Sequence, residues 1–340
     1  MKFLIIRLSS IGDIVLTTPV IRCLKQQVPG AEVHYLTKRG FKAVLENNPY
    51  IDKLHLLGDN LDESIQMLRA ENFDYIIDLH KNLRTLKIKK ALRSVPSVSF
   101  HKLNIQKWLL TALKIKILPA IHIVDRYLHT IKKFGAENDG KGLDYFIHAR
   151  DAVKEERLPA THREGYIGIV IGAALNTKKL PVKKLEELCR KIQYPIVLMG
   201  GPEDAVNAEL IATANQDQIY IACGKYSINQ SADLVRRSRA IITHDTGLMH
   251  IAAAYKKPIY SIWGNTVPAF GMTPYYGDEG ADHKIFEVKP LYCRPCSKIG
   301  YRKCPLGHFK CMNNQDLQSI AAHAVAEARK DPENKTGPAL

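Results

Sequence analysis

Ser10 and Asp13 stand three residues apart in "SSIGD", shortly after the apolar run "FLII". That is the spacing of a capping box ahead of an apolar helix. It is also a place for a general base. A carboxylate kept ionised by a helix N-terminus can take a proton from a substrate hydroxyl at the mouth of a cleft. Phosphate binding is the chemistry this turn does not suit. A phosphate site would be glycine-rich and free of negative charge, because the anion rests on bare backbone N–H groups. This turn offers Gly12 and then a carboxylate.

The phosphate-type arrangement falls later in the chain. In "IITHDTGLMHIAAA" Asp245 has the place of an N-cap, and Thr246 and Gly247 open a helix directly after a strand. Gly247 lets an anion reach the backbone N–H groups, and His250 lies one turn further on. The plain alternatives are a simple cap at Asp245 and a core histidine at His250. His244 and His250, six residues apart, are out of step for a zinc pair on one helix face. In "GAALNTKKLPVKK" Lys178 or Lys179 is placed to neutralise a leaving phosphate, or is ordinary solvated charge. "LMGGPEDAVNAE" sets Gly200 and Gly201 after a strand and Glu203 in the first helical turn. A carboxylate there accepts hydrogen bonds from a ribose or base, or complements the helix dipole.

Cys293, Cys296, Cys304 and Cys311 fall within 19 residues as C-x2-C-x7-C-x6-C. Four thiols so close together in a reducing compartment suit a structural Zn or Fe site; reduced, buried thiols are the alternative. Other signals are missing. "CGKYS" is not a P-loop, since Ile219 stands where the motif needs glycine and Tyr226 where it needs Ser or Thr. No G-x-G-x-x-G follows a strand and no Asp-x-Asp occurs. Phosphate charge is left to lysine and to helix N-termini.

The elements that must position these residues alternate. "KFLIIR", "EVHYLT", "KLHLL" and "DYIIDLH" read as strands separated by helical patterns, the first helix spanning about 12–27. Strands spaced by helices imply βαβ units and a parallel sheet. Residues 149–165 are polar, charged and contain proline, and mark a domain boundary. The pattern then restarts with the strands "YIGIVIGA", "YPIVLMGG", "RAIITHD" and "KPIYSIWG". The expected organisation is α/β: two Rossmann-like, doubly wound domains over 1–155 and 156–330, with 331–340 as a disordered tail. Such domains bind ligands in a cleft at the carboxyl ends of their strands, where the motifs above lie.

Bulk composition narrows the partners. The 340 residues are 46% hydrophobic and 24% charged, as in a globular protein, and carry a net charge of +15. That excess points to polyanionic partners. No apolar run approaches the length of a membrane span, and "MKFLII" lacks the apolar core and cleavage site of a signal peptide. An odd cysteine count of seven fits a reducing compartment. Residues 79–124 contain no Asp or Glu, yet ten Lys or Arg lie between Lys81 and Lys116. Mixed with apolar residues, they suit an anionic membrane surface; a solvated face is the plain alternative. Nucleic acid is unlikely on the residues themselves, because only Phe100 and Trp108 supply stacking aromatics.

"RLSSIGDIVLTTP" and "HDTGLMHIAAA" together resemble glycosyltransferase family 9, the heptosyltransferases of lipopolysaccharide core assembly, and the likeness runs along most of the chain. "KKLP" resembles that family's Lys-x-Trp-Pro element, with Leu180 in place of the tryptophan. The cysteine cluster is similar to one found in a subset of the family. The resemblance implies a GT-B fold, with two Rossmann-like domains facing a central cleft, acceptor on the N-terminal one and nucleotide-sugar donor on the C-terminal one. It implies an inverting transfer from ADP-heptose with Asp13 as general base and Lys178 on the departing diphosphate. Thr177, Glu203, Asp245, Thr246, Gly247 and His250 are expected at the donor. Ser10, Gly12, His80, Lys81 and Arg84 are expected at the acceptor, an anionic lipopolysaccharide precursor (Kdo-lipid A or heptosyl-Kdo-lipid A). No cofactor is required for catalysis, and the protein is expected in the cytoplasm, peripheral on the inner membrane. Two other readings stay open: a GT-B enzyme with another donor, or an epimerase, and more distantly a basic, metal-stabilised nucleic-acid-binding protein.

Overall fold

The computed structural model describes residues 1–278 and 280–330; the tail expected at 331–340 lies outside them. The chain divides into two compact units. One comprises Met1–Arg150 with the short segments Ala253–Tyr255 and Ala269–Gly280. The other comprises Asp151–Ala252, Lys256–Pro268 and the described residues from Ala281 onward.

The first unit runs β1 (Lys2–Ile6), α1 (Ile11–Val15), α2 (Thr18–Gln27), β2 (Glu32–Lys38), β3 (Lys53–Leu57), α3 (Leu61–Ala70), β4 (Tyr75–Asp78), α4 (Leu83–Ala91), β5 (Ser97–Ser99), α5 (Asn104–Trp108) and α6 (Ile123–Leu128). Its strands form one sheet in the order β3-β2-β1-β4-β5, and every pairing is parallel. β1 is central and apolar on both faces, as a covered parallel strand must be; Phe3 to Ile6 are fully buried. Leu4, Ile6, Leu36, Leu57, Ile65 and Leu68 join in one core cluster that seats α3 on a face of this sheet. α3 forms where Asn60 accepts the N–H groups of Asp62 and Glu63 (3.0 and 3.5 Å), with acids in its first turn and Arg69 in its last.

The helix expected over about 12–27 is two helices. Pro19 has no N–H to give and crowds the carbonyl four residues back, so α1 ends at Val15 and α2 starts afresh at Thr18. The break leaves Asp13 on a single short turn of its own.

The second unit adds α7 (Ala160–Arg163), β6 (Ile167–Val170), α8 (Val182–Lys191), β7 (Ile196–Met199), α9 (Ala205–Ala212), β8 (Ile219–Ile221), α10 (Ile228–Arg237), β9 (Ala240–His244), α11 (Gly247–Ala254), β10 (Ile259–Trp263), β11 (His283–Glu287), α12 (Lys310–Asn313) and α13 (Leu317–Ala328). The sheet order is β11-β10-β9-β6-β7-β8, again wholly parallel. Ile320, Ala321 and Ala324 of α13 are buried at helical spacing and close the core together with α8. Both orders turn back at the first strand of their unit, so each has a switch point where parallel sheets bind ligands. Among the described residues no helix is long and apolar enough to cross a membrane.

Candidate active site

In the first unit the chemistry gathers just beyond the carboxyl ends of β1 and β4. Arg7 follows β1 directly and is almost fully buried. Its guanidinium donates to Ser9 O (2.8 Å), Leu79 O (2.7 Å) and the Tyr127 hydroxyl (3.0 Å), and pairs with Asp13 Oδ1 at 2.6 Å. The expected capping-box pair is present: the Ser10 N–H and hydroxyl both donate to Asp13 Oδ2, at 3.3 and 2.7 Å. Burial alone would push the Asp13 carboxyl up. The Arg7 charge and the Ser10 donors outweigh it and hold the carboxyl below its usual range. The Asp13 side chain is 22% exposed, so an ionised oxygen still faces solvent. Gly12 beside it is buried.

Asp78, the last residue of β4, shapes the neighbouring turn. Its Oδ1 accepts from the N–H groups of His80 (3.0 Å) and Lys81 (2.7 Å), and its Oδ2 from the Thr85 hydroxyl (2.9 Å). Lys81 takes a left-handed backbone (φ 51°). Burial, then the charges of Arg7 and Lys102, push His80 down to about 4, so its ring is neutral at pH 7. Its Nδ1 is buried with no hydrogen-bond partner among the described residues, an orphaned polar atom that a ligand or water would satisfy. Arg84 is exposed on the first turn of α4. Arg7 and Lys102 had no place in the sequence-based site. Both partnerships run through space, and their only sequence signal is an isolated charge after a strand and a place in the basic stretch.

In the second unit three adjacent strands bring their carboxyl ends together. Lys178, after β6, lies 2.6 Å from Asp245 Oδ2, after β9. Thr266, after β10, donates to the same oxygen at 3.3 Å. The structure corrects the N-cap expectation for Asp245. α11 is capped by Thr246, whose hydroxyl accepts the Met249 N–H at 3.4 Å, because the Asp245 carboxylate is drawn away to Lys178. Thr246, Gly247 and Leu248 are only half-buried, so the first N–H groups of α11 remain near the surface. His250 is buried in the helix behind them. His244 accepts the Leu180 N–H at 2.9 Å and fixes the turn that follows Lys178 and Lys179; burial pushes its ring down to about 3, so it is neutral.

Glu203 is exposed, and its neighbour Asp204 carries the structural load. Asp204 is buried, pairs with Lys179 at 2.7 Å and accepts the Gly201 N–H at 3.1 Å. Thr177 is buried as well. Its hydroxyl donates to Tyr301 O (3.0 Å) and accepts the Tyr301 N–H (2.7 Å). This occupies the hydroxyl and docks the cysteine-rich loop behind Lys178. Arg294 ties that loop to the ends of β10 and β11, through Thr266 O (3.1 Å) and Glu287 (3.0 Å) respectively. None of the seven cysteines is in a disulfide. Cys293 Sγ lies 3.9 Å from His308 Nε2, and Cys296 Sγ donates to Cys293 O at 3.0 Å. Burial pushes the Cys311 thiol up to about 12, and the Arg294 charge offsets this only in part. These donors are soft, although among the described residues they are not gathered as tightly as one His–His–Glu group in the first unit.

The model of glycosyltransferase family 9 (heptosyltransferase) matches residues 63–303, more than half of the chain. The chain is 27% identical to lipopolysaccharide heptosyltransferase 1 of Campylobacter coli over 81% of this chain and 85% of the relative. Its fold is shared with a family 9 glycosyltransferase of Veillonella parvula, with a TM-score of 0.77, 22% identity, and coverage of 96% of this chain and 97% of that one. It is shared too with the Escherichia coli heptosyltransferase WaaC crystallised with ADP-2-deoxy-2-fluoro heptose, with a TM-score of 0.63, 20% identity, and coverage of 84% and 92%.

Proposed function

The chain belongs to glycosyltransferase family 9, the heptosyltransferases, and we propose that it moves a heptose from ADP-heptose, with inversion, onto an anionic lipopolysaccharide inner-core acceptor, Kdo-lipid A or heptosyl-Kdo-lipid A. The observation that carries this reading is the convergence of Lys178 and Asp245, 67 residues apart in sequence, at 2.6 Å beside the open N-terminus of α11. Lysine next to half-exposed helix N–H groups is a diphosphate-binding arrangement made without Asp-x-Asp. The family neighbour crystallised with a fluorinated ADP-heptose supports the donor.

Each atom has a destination. The acceptor hydroxyl oxygen attacks the anomeric carbon while its proton passes to Asp13. The bond from that carbon to the diphosphate breaks, and the electron pair leaves with ADP. Lys178 and the N–H groups at Thr246–Gly247 meet the growing phosphate charge. Asp245 and Thr266 hold the Lys178 ammonium in place, and Glu203 accepts a hydrogen bond from a nucleoside hydroxyl. Arg7 fixes Asp13 and, with Lys81, Arg84 and Lys102, favours an acceptor rich in negative charge; the orphaned Nδ1 of His80 takes one of its hydroxyls. Lysine and helix N–H groups supply the cationic role, so catalysis asks for no cofactor. Cys293, Cys296, Cys304 and Cys311 would hold a structural Zn or Fe that stiffens the loop behind Thr177. The basic stretch at 81–116 supports a position on the cytoplasmic face of the inner membrane.

Donor-dependent thermal stabilisation tests the reading, with ADP-heptose set beside ADP-, UDP- and GDP-hexoses. At a hundred times its dissociation constant a ligand adds roughly 2.7 kcal/mol. ADP-heptose is expected to give the largest shift. A larger shift from a UDP- or GDP-sugar overturns the donor assignment, and no shift from any of them overturns the proposed function.

A further inference from the structure

His34, His55 and Glu71 form a group that none of the transfer chemistry uses. Parallel pairing sets Leu36 of β2 opposite His55 of β3 and His34 opposite Lys53. Side chains two residues apart share a sheet face, so His34 and His55 project from the same face of neighbouring strands. Glu32 shares that face too, opposite Lys2 of β1. Glu71, just past α3, descends onto it. The cluster sits toward the amino ends of β1, β2 and β3, whereas Asp13 follows the carboxyl end of β1.

The ligand atoms of the three residues lie within 4.8 Å of one another. His34 Nδ1 is 2.9 Å from His55 Nε2 and 3.7 Å from Glu71 Oε2, and His55 Nε2 is 3.9 Å from Glu71 Oε1. Metal–ligand bonds of about 2.0–2.2 Å in a tetrahedron separate ligand atoms by roughly 3.3–3.5 Å. The measured edges lie within about half an ångström of that spacing, but the two Glu71 distances run to different oxygens, so the carboxylate must also turn to present one oxygen to both nitrogens. His34 Nε2 meets Glu32 Oε1 at 2.8 Å, the carboxylate–histidine arrangement that orients a metal-binding ring and leaves its other nitrogen as a lone pair. Phe73 stands edge-on to both rings, 5.3 and 6.0 Å away, and keeps that side dry. Burial first, then His34, pushes His55 down to about 4, so the imidazole is neutral as a ligand must be.

We propose that His34 Nδ1, His55 Nε2 and a Glu71 carboxylate oxygen bind one divalent transition-metal ion, zinc above all, with Glu32 as the outer carboxylate that positions His34. Two imidazoles and a carboxylate match the nitrogen and oxygen preferences of zinc and leave a fourth position for water. Lysine is the competitor. Lys53 lies 2.5 Å from Glu71 Oε1 and Lys2 3.7 Å from Oε2, so the ion replaces the exposed Lys53 ammonium on the carboxylate. The site stands on the first unit alone and is independent of which sugar the protein transfers.

Cobalt(II) titration of the full chain, followed by visible absorption, tests it against the cysteine loop, since only thiolate ligation adds an intense near-ultraviolet charge-transfer band. The expected result is a d–d spectrum of one nitrogen- and oxygen-ligated ion, displaced by zinc and lost in His55→Gln. Glu32→Gln is expected to weaken binding by roughly 10–100-fold. Lys53→Met, an exposed change that folding tolerates, is expected to tighten it several-fold. A signal that is only thiolate-derived, or no cobalt binding, overturns the proposal. So does a Lys53→Met variant with unchanged affinity.

Discussion

A carboxylate that must accept a proton is best placed when its pKa lies not far below the working pH, and Arg7 pulls Asp13 the other way. The pairing at 2.6 Å keeps Asp13 ionised and aimed, and it makes the group a weaker base. Arg7→Met therefore leaves a partly buried carboxylate without its counter-charge, and its pKa rises. The acid limb of the pH profile of kcat/KM is expected to move to higher pH in that variant, and an unmoved limb would count against Asp13 as the titrating base. The stability sign follows from the same shift. A carboxylate lowered in the folded state contributes stability above its unfolded pKa and loses it as pH falls through the lower folded value, so the Arg7–Asp13 contribution persists throughout the neutral range. Asp13 was legible in sequence because a capping box is a local signature. Arg7 was not, since its partners Leu79 and Tyr127 lie 72 and 120 residues away.

Strand ends do the positioning at the next scale, and glycine sets how closely they approach. A Cβ added at Gly172, just past β6, would lie 2.3 Å from Asp204 Oδ2. That oxygen cannot swing away cheaply, because Lys179 and the Gly201 N–H pin the carboxylate. Gly172→Ala is expected to cost roughly 1–3 kcal/mol, read as a lower urea midpoint; an unchanged midpoint would show that Asp204 is freely displaced. Lys178→Ala is expected to cut kcat by about 10²–10³-fold, as loss of one charge-stabilising donor does, and a steady-state transfer assay checks it. Alternation of apolar runs with helical spacing made the strands and the restart of the pattern readable. Two details were not readable. Asp245 looks like a cap in sequence until Lys178 competes for its carboxylate. Glu203 and Asp204 are adjacent acids, and only the approach of β6 to β7 decides which one is buried.

Over the whole molecule the excess of fifteen positive charges is concentrated where acids are absent, between residues 79 and 124. Leu83, Leu86, Ile105, Trp108, Leu113 and Ile117 are exposed among those lysines and arginines. Apolar side chains between cations suit an anionic bilayer surface, each basic residue near it contributing about 1 kcal/mol. Cosedimentation with phosphatidylglycerol-rich vesicles is expected at low salt, weakening as salt rises and in Trp108→Ser, with little binding to neutral vesicles; equal binding to both would exclude the charge-led mode. The charge pattern was visible in sequence, whereas which of its apolar residues stay exposed depends on how α4 and α5 pack. The central claim is heptosyl transfer with Asp13 as base. Its most direct test is a transfer assay with ADP-heptose and a Kdo-bearing acceptor, comparing the native chain with a folded Asp13→Asn variant. Product from the native chain and a fall of about 10²–10⁴-fold in kcat for the variant are the predicted results; full transfer by Asp13→Asn, or none by the native chain, would contradict the account.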